Sequence, residues 1–275
     1  MYMKSQFSEN EVREIIKKIV HIEDSGVALD QGELIGEFPI DSVIFSNMMS
    51  DRTMNASKMI YSRYGIKTTL AMPYTGKDSI LLNDYVSLIT ELNIDQVVLK
   101  FGSWGINHSF MDPGGFQHQN QKSIEDLQSW ISDFKKKYDI PIYLHPIRQL
   151  SLHPPSFYEK VITELSDLQV PLSIDLGLVL SDCKNWGPAY KKEMIALLLS
   201  NPSISMFWLS AVRKAGDAFI PCACESVDDQ IWEMLDLLLG DDASLILMTD
   251  RLSSEVQITS DVRKLMNVKG AVPKT

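Results

Sequence analysis

"QVVLKF" (96–101), "SIEDLQSWISDFKKKY" (123–138) and "IPIYLH" (140–145) form one strand–helix–strand unit. The two outer runs are continuously apolar, as parallel strands buried on both faces are. The middle run repeats apolar residues at spacings of three and four, which predicts an amphipathic helix. The same alternation extends outward in both directions. Further strand-like runs are "GVALD" (26–30), "DSVIFS" (41–46), "KTTLAM" (67–72), "PLSID" (171–175), "ISMFWL" (204–209) and "SLILM" (244–248). Helical spacing recurs over 54–64, 80–92, 156–167, 188–199, 227–239 and 254–266. Ser8 with Glu11 and Ser123 with Asp126 have capping-box spacing, and Pro155 and Pro188 suit a first helical turn. Eight strands with intervening helices predict an α/β fold, a single (β/α)8 TIM barrel. No linker interrupts it, so residues 1–275 read as one domain. Residues 1–25 read as an N-terminal helical extension whose helix, 9–20, covers the barrel bottom.

The 275 residues carry a formal net charge of −10, with 45% apolar and 23% charged residues. Such a balance works against nucleic acid, whose phosphates need clustered Lys and Arg. The one basic run, "KKKY" (135–138), ends a predicted helix, where cations complement the carbonyl dipoles. No stretch has the length of a signal peptide core or a membrane span, so a cytoplasmic protein is expected. Three cysteines imply no disulfide framework.

TIM barrels place chemistry at the C-terminal ends of their strands. The polar residues there are Asp30, Asn47, Lys100, His145, Asp175, Arg213 and Asp250. His145 and Asp175 end consecutive strands and form the candidate acid–base pair, or the ligands of a single metal. Lys100 would lend electrostatic support. Arg148, Arg213 and Arg251 suit an anion clamp, with Asn47, Asp250 and Trp104 as further substrate contacts. "YTGKDS" (74–79) lacks the glycine spacing of a phosphate-binding loop. His108 and His118 flank "MDPGGF" in what reads as a long, lid-like loop. Cys183 has no histidine near it in sequence and reads as structural. In "FIPCACES" (219–226), Cys222 and Cys224 share one strand face and Pro221 and Ala223 the other.

The order of motifs resembles the multinuclear non-haem iron-dependent oxidases, the methanobactin-oxidase-like group of xylose-isomerase-like TIM barrels, over about residues 26–266. "GVALD" with "PIDSVIFS" resembles the family's opening strands. "LKFGSW" resembles its Ser-x-His-Leu-x-Trp, keeping Trp104 and putting Phe101 at the His ligand. "SIDLGLVLSDCKNWG" is similar to another family motif, retaining Asp175, Asn185 and Gly187. "ESVDDQIWEMLDLLL" resembles a family helix, with Trp232 at the expected spacing. At the remaining ligand positions stand His145-Pro146, Trp208 in "WLSA", Pro221, Ala223 and Met248-Thr249-Asp250. Apart from Asp175 the ligand set has gone.

What the resemblance implies is a barrel that keeps the scaffold without the multinuclear iron site. It would be a binding or partner protein, or an altered enzyme, in peptide natural-product maturation, meeting a precursor peptide or a partner protein. No cofactor is then expected, with iron or another divalent metal as the alternative. A different reading is a small-molecule, sugar-like isomerase, epimerase or lyase using His145 and Asp175. A third is an active metal-dependent oxidase with ligands relocated among His108, His118, His145, Asp175, Cys222 and Cys224.

Overall fold

The computed structural model describes residues 21–24, 42–45, 67–74, 76, 80–91, 93–101, 113–146, 155–222, 225–238, 244–248, 260, 261 and 264. Eight parallel strands close into a barrel: β1 (His21–Asp24), β2 (Ser42–Phe45), β3 (Lys67–Pro73), β4 (Gln96–Phe101), β5 (Ile142–Pro146), β6 (Leu172–Asp175), β7 (Ile204–Leu209) and β10 (Ser244–Met248). The ring closes where β1 pairs with both β2 and β10. Seven of the eight strands lie where the apolar runs placed them; the first does not. It is "HIED", inside the expected helical extension, while the run at 26–30 lies outside the described residues. Its one strongly β-forming residue, Ile22, gives no periodic signal, and pairing on both sides holds the segment extended.

Strand alternation sorts side chains into two shells. Leu70, Leu99, Phe101, Leu144, Ile174, Phe207 and Leu247 join the large core beneath the helices. Ala71, Val98, Met206, Trp208 and Ile246, with Tyr143, form a second cluster that fills the barrel. One irregularity decides which residues of β7 face inward. Leu172 pairs with Ile204, but Ser173 pairs with Met206, so Ser205 is an extra, bulged residue. A one-residue insertion swaps the faces beyond it. Trp208, rather than Phe207, thereby comes to lie inside the barrel opposite Asp175.

Six helices lie among the described residues: α1 (Ile80–Glu91), α2 (Pro113–Lys137), α3 (Pro155–Ser166), α4 (Leu176–Trp186), α5 (Pro188–Leu199) and α6 (Asp229–Leu238). None is long and apolar enough to cross a membrane. Pro155 and Pro188 open their helices as expected. Helix α2 begins ten residues before the predicted start at Ser123, so Ser123 is no cap and His118 lies on a helix instead of in a loop. Pro113 supplies the missing start signal, because its fixed φ suits a first turn.

Two elements have no counterpart in the expected alternation. Helix α4 leaves the end of β6 directly, Asp175 capping it by accepting from the Leu178 N–H at 3.0 Å. Gly187, at φ 90°, ends it and leads straight into α5. Gly177 lies so close to Ser210, the residue after β7, that an added Cβ would sit 1.8 Å from its Oγ, so any larger residue would force a shift. A hairpin of β8 (Ala211–Ala215) and β9 (Ala218–Cys222) then follows β7 after a single residue. Ala215 and Ala218 flank its two-residue turn, where Gly216 takes φ 62°.

From that turn the antiparallel alternation points the backbone groups of Lys214, Phe219, Val212 and Pro221 outward. Asn185 of α4 takes both outward groups of Phe219: its Nδ2 donates to the carbonyl at 2.9 Å, and its Oδ1 accepts from the N–H at 2.8 Å. Pro221 falls where no ladder bond needs an N–H. Asn185→Ala is expected to speed hydrogen exchange at the Phe219 amide about five-fold, the equivalent of about 1 kcal/mol of lost local hydrogen bonding. Unchanged exchange would show that the hairpin is held elsewhere.

Asp261 pins the segment after β10 to the start of α6. It is buried and accepts from the Val227 N–H at 3.0 Å, while its Oδ1 has no hydrogen-bond partner among the described residues. Burial pushes its carboxyl up to about 6, against the pull of the Val227 N–H and Lys264. The folded state therefore holds this proton more tightly than the unfolded chain, and stability drawn from it is lost as pH rises from about 4 to 6. Relative to wild type, Asp261→Asn is expected to gain melting temperature steadily between pH 4 and pH 7. Parallel pH profiles for the two proteins would contradict that.

Candidate active site at the barrel mouth

The C-terminal ends of β4 to β7 carry four inward-facing side chains. Lys100 pairs in register with His145, and Asp175 with Trp208. Trp208 is 1% exposed and forms the floor of this arc. The Lys100 Nζ stands 4.9 Å from the centre of the Trp208 ring, at cation–π range. The His145 ring lies 4.6 Å from it at 40°.

Beneath them sits Ser173, fully buried. The Trp208 Nε1–H donates to the Ser173 Oγ, which lies 3.0 Å from His145 Nδ1. Ser173, and not Asp175, therefore holds the imidazole. Burial, and then the positive charge of Lys100, pushes His145 down to about 3; a weaker contact with the Ser173 backbone works the other way. At neutral pH the ring is uncharged. Asp175 spends one oxygen on the cap of α4, which fixes its carboxylate at the start of that helix.

Of the residues expected to act, Lys100, His145 and Asp175 share this arc. Arg213 does not: it is exposed on β8 of the hairpin. Asn47, Trp104, Arg148 and Asp250 lie outside the described residues, as do Asp30, His108, Cys224 and Arg251. Ser173 was missed, although it stands two residues before Asp175 and must share its face. Phe101, expected at a lost ligand position, faces the helices and packs on Tyr74, with Trp130 also on that ring. Lys100 has the inward place. Cys222 is buried on β9, part of the hairpin and not a barrel strand, and Cys183 is buried on α4. Burial pushes the Cys183 thiol up to about 11, which makes it a poor nucleophile. Asn185 and Gly187, matched to the oxidase motif, serve the hairpin and the end of α4.

The multinuclear iron centre that the resemblance implies would need several His and carboxylate ligands converging on one point. From β4 to β7 the described inward positions at the mouth offer one imidazole and one carboxylate beside Lys100, Ser173 and Trp208, and the imidazole Nδ1 is already paired; across the barrel the register adds the Glu23 position of β1, opposite Met248. That set does not fit several irons. Among the described residues no three metal-ligating side chains come together.

No family model and no curated protein matches the chain. Solved structures do. A xylose isomerase-like TIM barrel/4-hydroxyphenylpyruvate dioxygenase fusion protein is similar at 12% identity and TM-score 0.58, over 91% of this chain and 42% of that one. UMP synthase of Leishmania donovani is similar at 10% identity and TM-score 0.55, covering 95% of this chain and 55% of the other. A 2,3-dimethylmalate lyase of the PEP mutase/isocitrate lyase superfamily reaches TM-score 0.52 at 10% identity, covering 97% and 89%. At such identities the likeness is one of fold. The chain has the TIM-barrel fold, and it spans less than half of the fusion protein.

Proposed function

We propose that this barrel is an enzyme of the isomerase, epimerase or lyase type, acting on a small, sugar-like carbonyl compound that carries negative charge. The observation behind the reading is the convergence of Lys100, a neutral His145 and Asp175 on the ends of three adjacent strands. Proton abstraction next to a carbonyl needs a carboxylate base and positive or hydrogen-bonding groups at the developing oxyanion. Asp175 is the carboxylate of this arc, and Lys100 is its cation. His145, uncharged when substrate arrives, contributes as a polar group and not as a cation. Calorimetric titration with small phosphorylated and carboxylated carbonyl compounds tests the reading. Binding should be seen with wild type and weaken at least about ten-fold in Lys100→Met; equal binding by both would remove Lys100 from the site.

A second reading rests on β8. The outward backbone groups of Val212 and Lys214 make no hydrogen bond among the described residues, and Arg213 and Lys214 are exposed beside them. An acidic, extended peptide would add to such an edge as a further strand, making the barrel a docking partner in peptide maturation. Val212→Pro leaves the pairing with β9 intact but blocks the edge. Loss of binding of a labelled acidic peptide in that variant supports this second reading.

A further inference from the structure

Trp208 and Ser173 do more than fill the barrel, because together they decide which nitrogen of His145 carries its proton. An indole N–H can only donate, so the Ser173 Oγ accepts from Trp208. The serine has one hydroxyl hydrogen left. Among the described residues, His145 Nδ1, 3.0 Å away, is the acceptor paired with that hydroxyl. The opposite arrangement, with Nδ1–H donating to the serine, would strand the serine hydrogen in a fully buried place. When Ser173 donates to Nδ1, the indole hydrogen, the serine hydroxyl and Nδ1 are all paired, and this leaves the ring hydrogen on Nε2. Nε2 makes no hydrogen bond among the described residues, yet it is not one of the buried polar atoms that lack a partner. It is the ring nitrogen that this pairing leaves for a ligand.

We infer that Ser173 is a positioning residue that locks His145 as a fixed Nε2–H donor, and that this N–H, beside the Lys100 ammonium, binds the carbonyl or enolate oxygen of the substrate. The role of the substrate oxygen rests on the proposed isomerase, epimerase or lyase reading; the locked tautomer does not. His145 is thus an electrophilic hydrogen-bond donor, in place of the proton-transfer group that its residue type suggests. The proton removed from carbon goes to Asp175 and returns from it, so no oxidant or further reactant enters.

Nitrogen-15 NMR of the full chain labelled at histidine tests the lock without any substrate, the His145 signals being assigned by their absence in His145→Gln. In wild type Nδ1 should resonate as an unprotonated ring nitrogen and Nε2 as a protonated one, with the Nε2–H form at least about ten-fold in excess and unchanged from pH 5 to 8. Ser173→Ala should mix the tautomers, and Ser173→Thr should restore the lock. A wild-type ring protonated on Nδ1, or titrating near its ordinary value, overturns the inference. So does a Ser173→Ala protein that keeps one tautomer; Trp208→Phe, which removes the indole donor but keeps an aromatic ring, gives the same readout if Ser173→Ala fails to fold. In turnover, Ser173→Ala should lower kcat about ten-fold with KM little changed, and Ser173→Thr should recover it. A locked tautomer in a protein that turns over none of the compounds would sink the functional reading and leave the positioning role standing.

Discussion

Trp208→Ala is expected to cost about 3–5 kcal/mol of stability, the range for deleting a large aromatic side chain from a packed interior. The indole is 1% exposed, packs with Met206 and Ile246, faces the His145 ring and donates to Ser173. Its loss leaves a cavity and takes the partner from a buried hydroxyl. A second consequence concerns pH. In wild type burial holds His145 down to about 3, so the unfolded chain takes up a proton that the folded state refuses as pH falls below about 6.5. Stability contributed by the neutral ring is therefore complete above that pH and is lost progressively towards pH 3. With the indole gone, water reaches the imidazole, its proton affinity rises towards the ordinary range, and the acid-side slope flattens. Denaturant titrations at pH 4.5 and 7.5 check both points. A loss under 1 kcal/mol with an unchanged slope would mean that Trp208 is not the floor of the site.

Lys100→Met should reduce kcat/KM by about 10²–10³ on whichever compound the wild type turns over, the usual cost of removing a group that stabilises a developing oxyanion. Methionine keeps much of the apolar stem over the indole, so folding should be nearly unaffected. The ammonium also disfavours the protonated imidazole. Removing it must raise the proton affinity of His145, though burial, the larger cause, still holds it below the ordinary range. A kinetic defect without that rise, or the rise without a defect, would separate electrostatics at the ring from electrostatics at the substrate.

Much of the barrel was legible in the sequence because buried parallel strands write themselves as apolar runs. "QVVLKF" and "ISMFWL" needed only a length and a boundary to be recognised. Hidden from this reading were the features made by pairing. "HIED" is extended because β2 and β10 flank it. "AVRKAGDAFIPC" (211–222) holds no continuous apolar run, although its Gly216-Asp217 turn and Pro221 fit a hairpin once β9 is seen. The bulge at Ser205 changes which half of β7 faces inward, and nothing in the apolar run marks it.

The site was half legible. Lys100, His145 and Asp175 follow from the rule that barrel chemistry sits at strand ends. What organises them does not, since Ser173 and Trp208 look like ordinary strand residues until the bulge sets their neighbours. The two cysteines of "FIPCACES" read as sharing one strand face. Cys222 is buried on a hairpin strand outside the eight-stranded ring, and Cys224 lies outside the described residues.

The central claim is that this arc of the mouth moves a proton at carbon, with Asp175 taking it and Lys100 and His145 holding the oxygen. Proton NMR in deuterated water follows it directly, by incubating the protein with small anionic carbonyl compounds and watching the hydrogen next to the carbonyl. The account predicts exchange of that hydrogen for deuterium in at least one compound with wild type, and none above background in Asp175→Asn. Exchange that persists undiminished in Asp175→Asn, or a wild type that exchanges no compound yet consumes oxygen with two or three irons per chain, would contradict it.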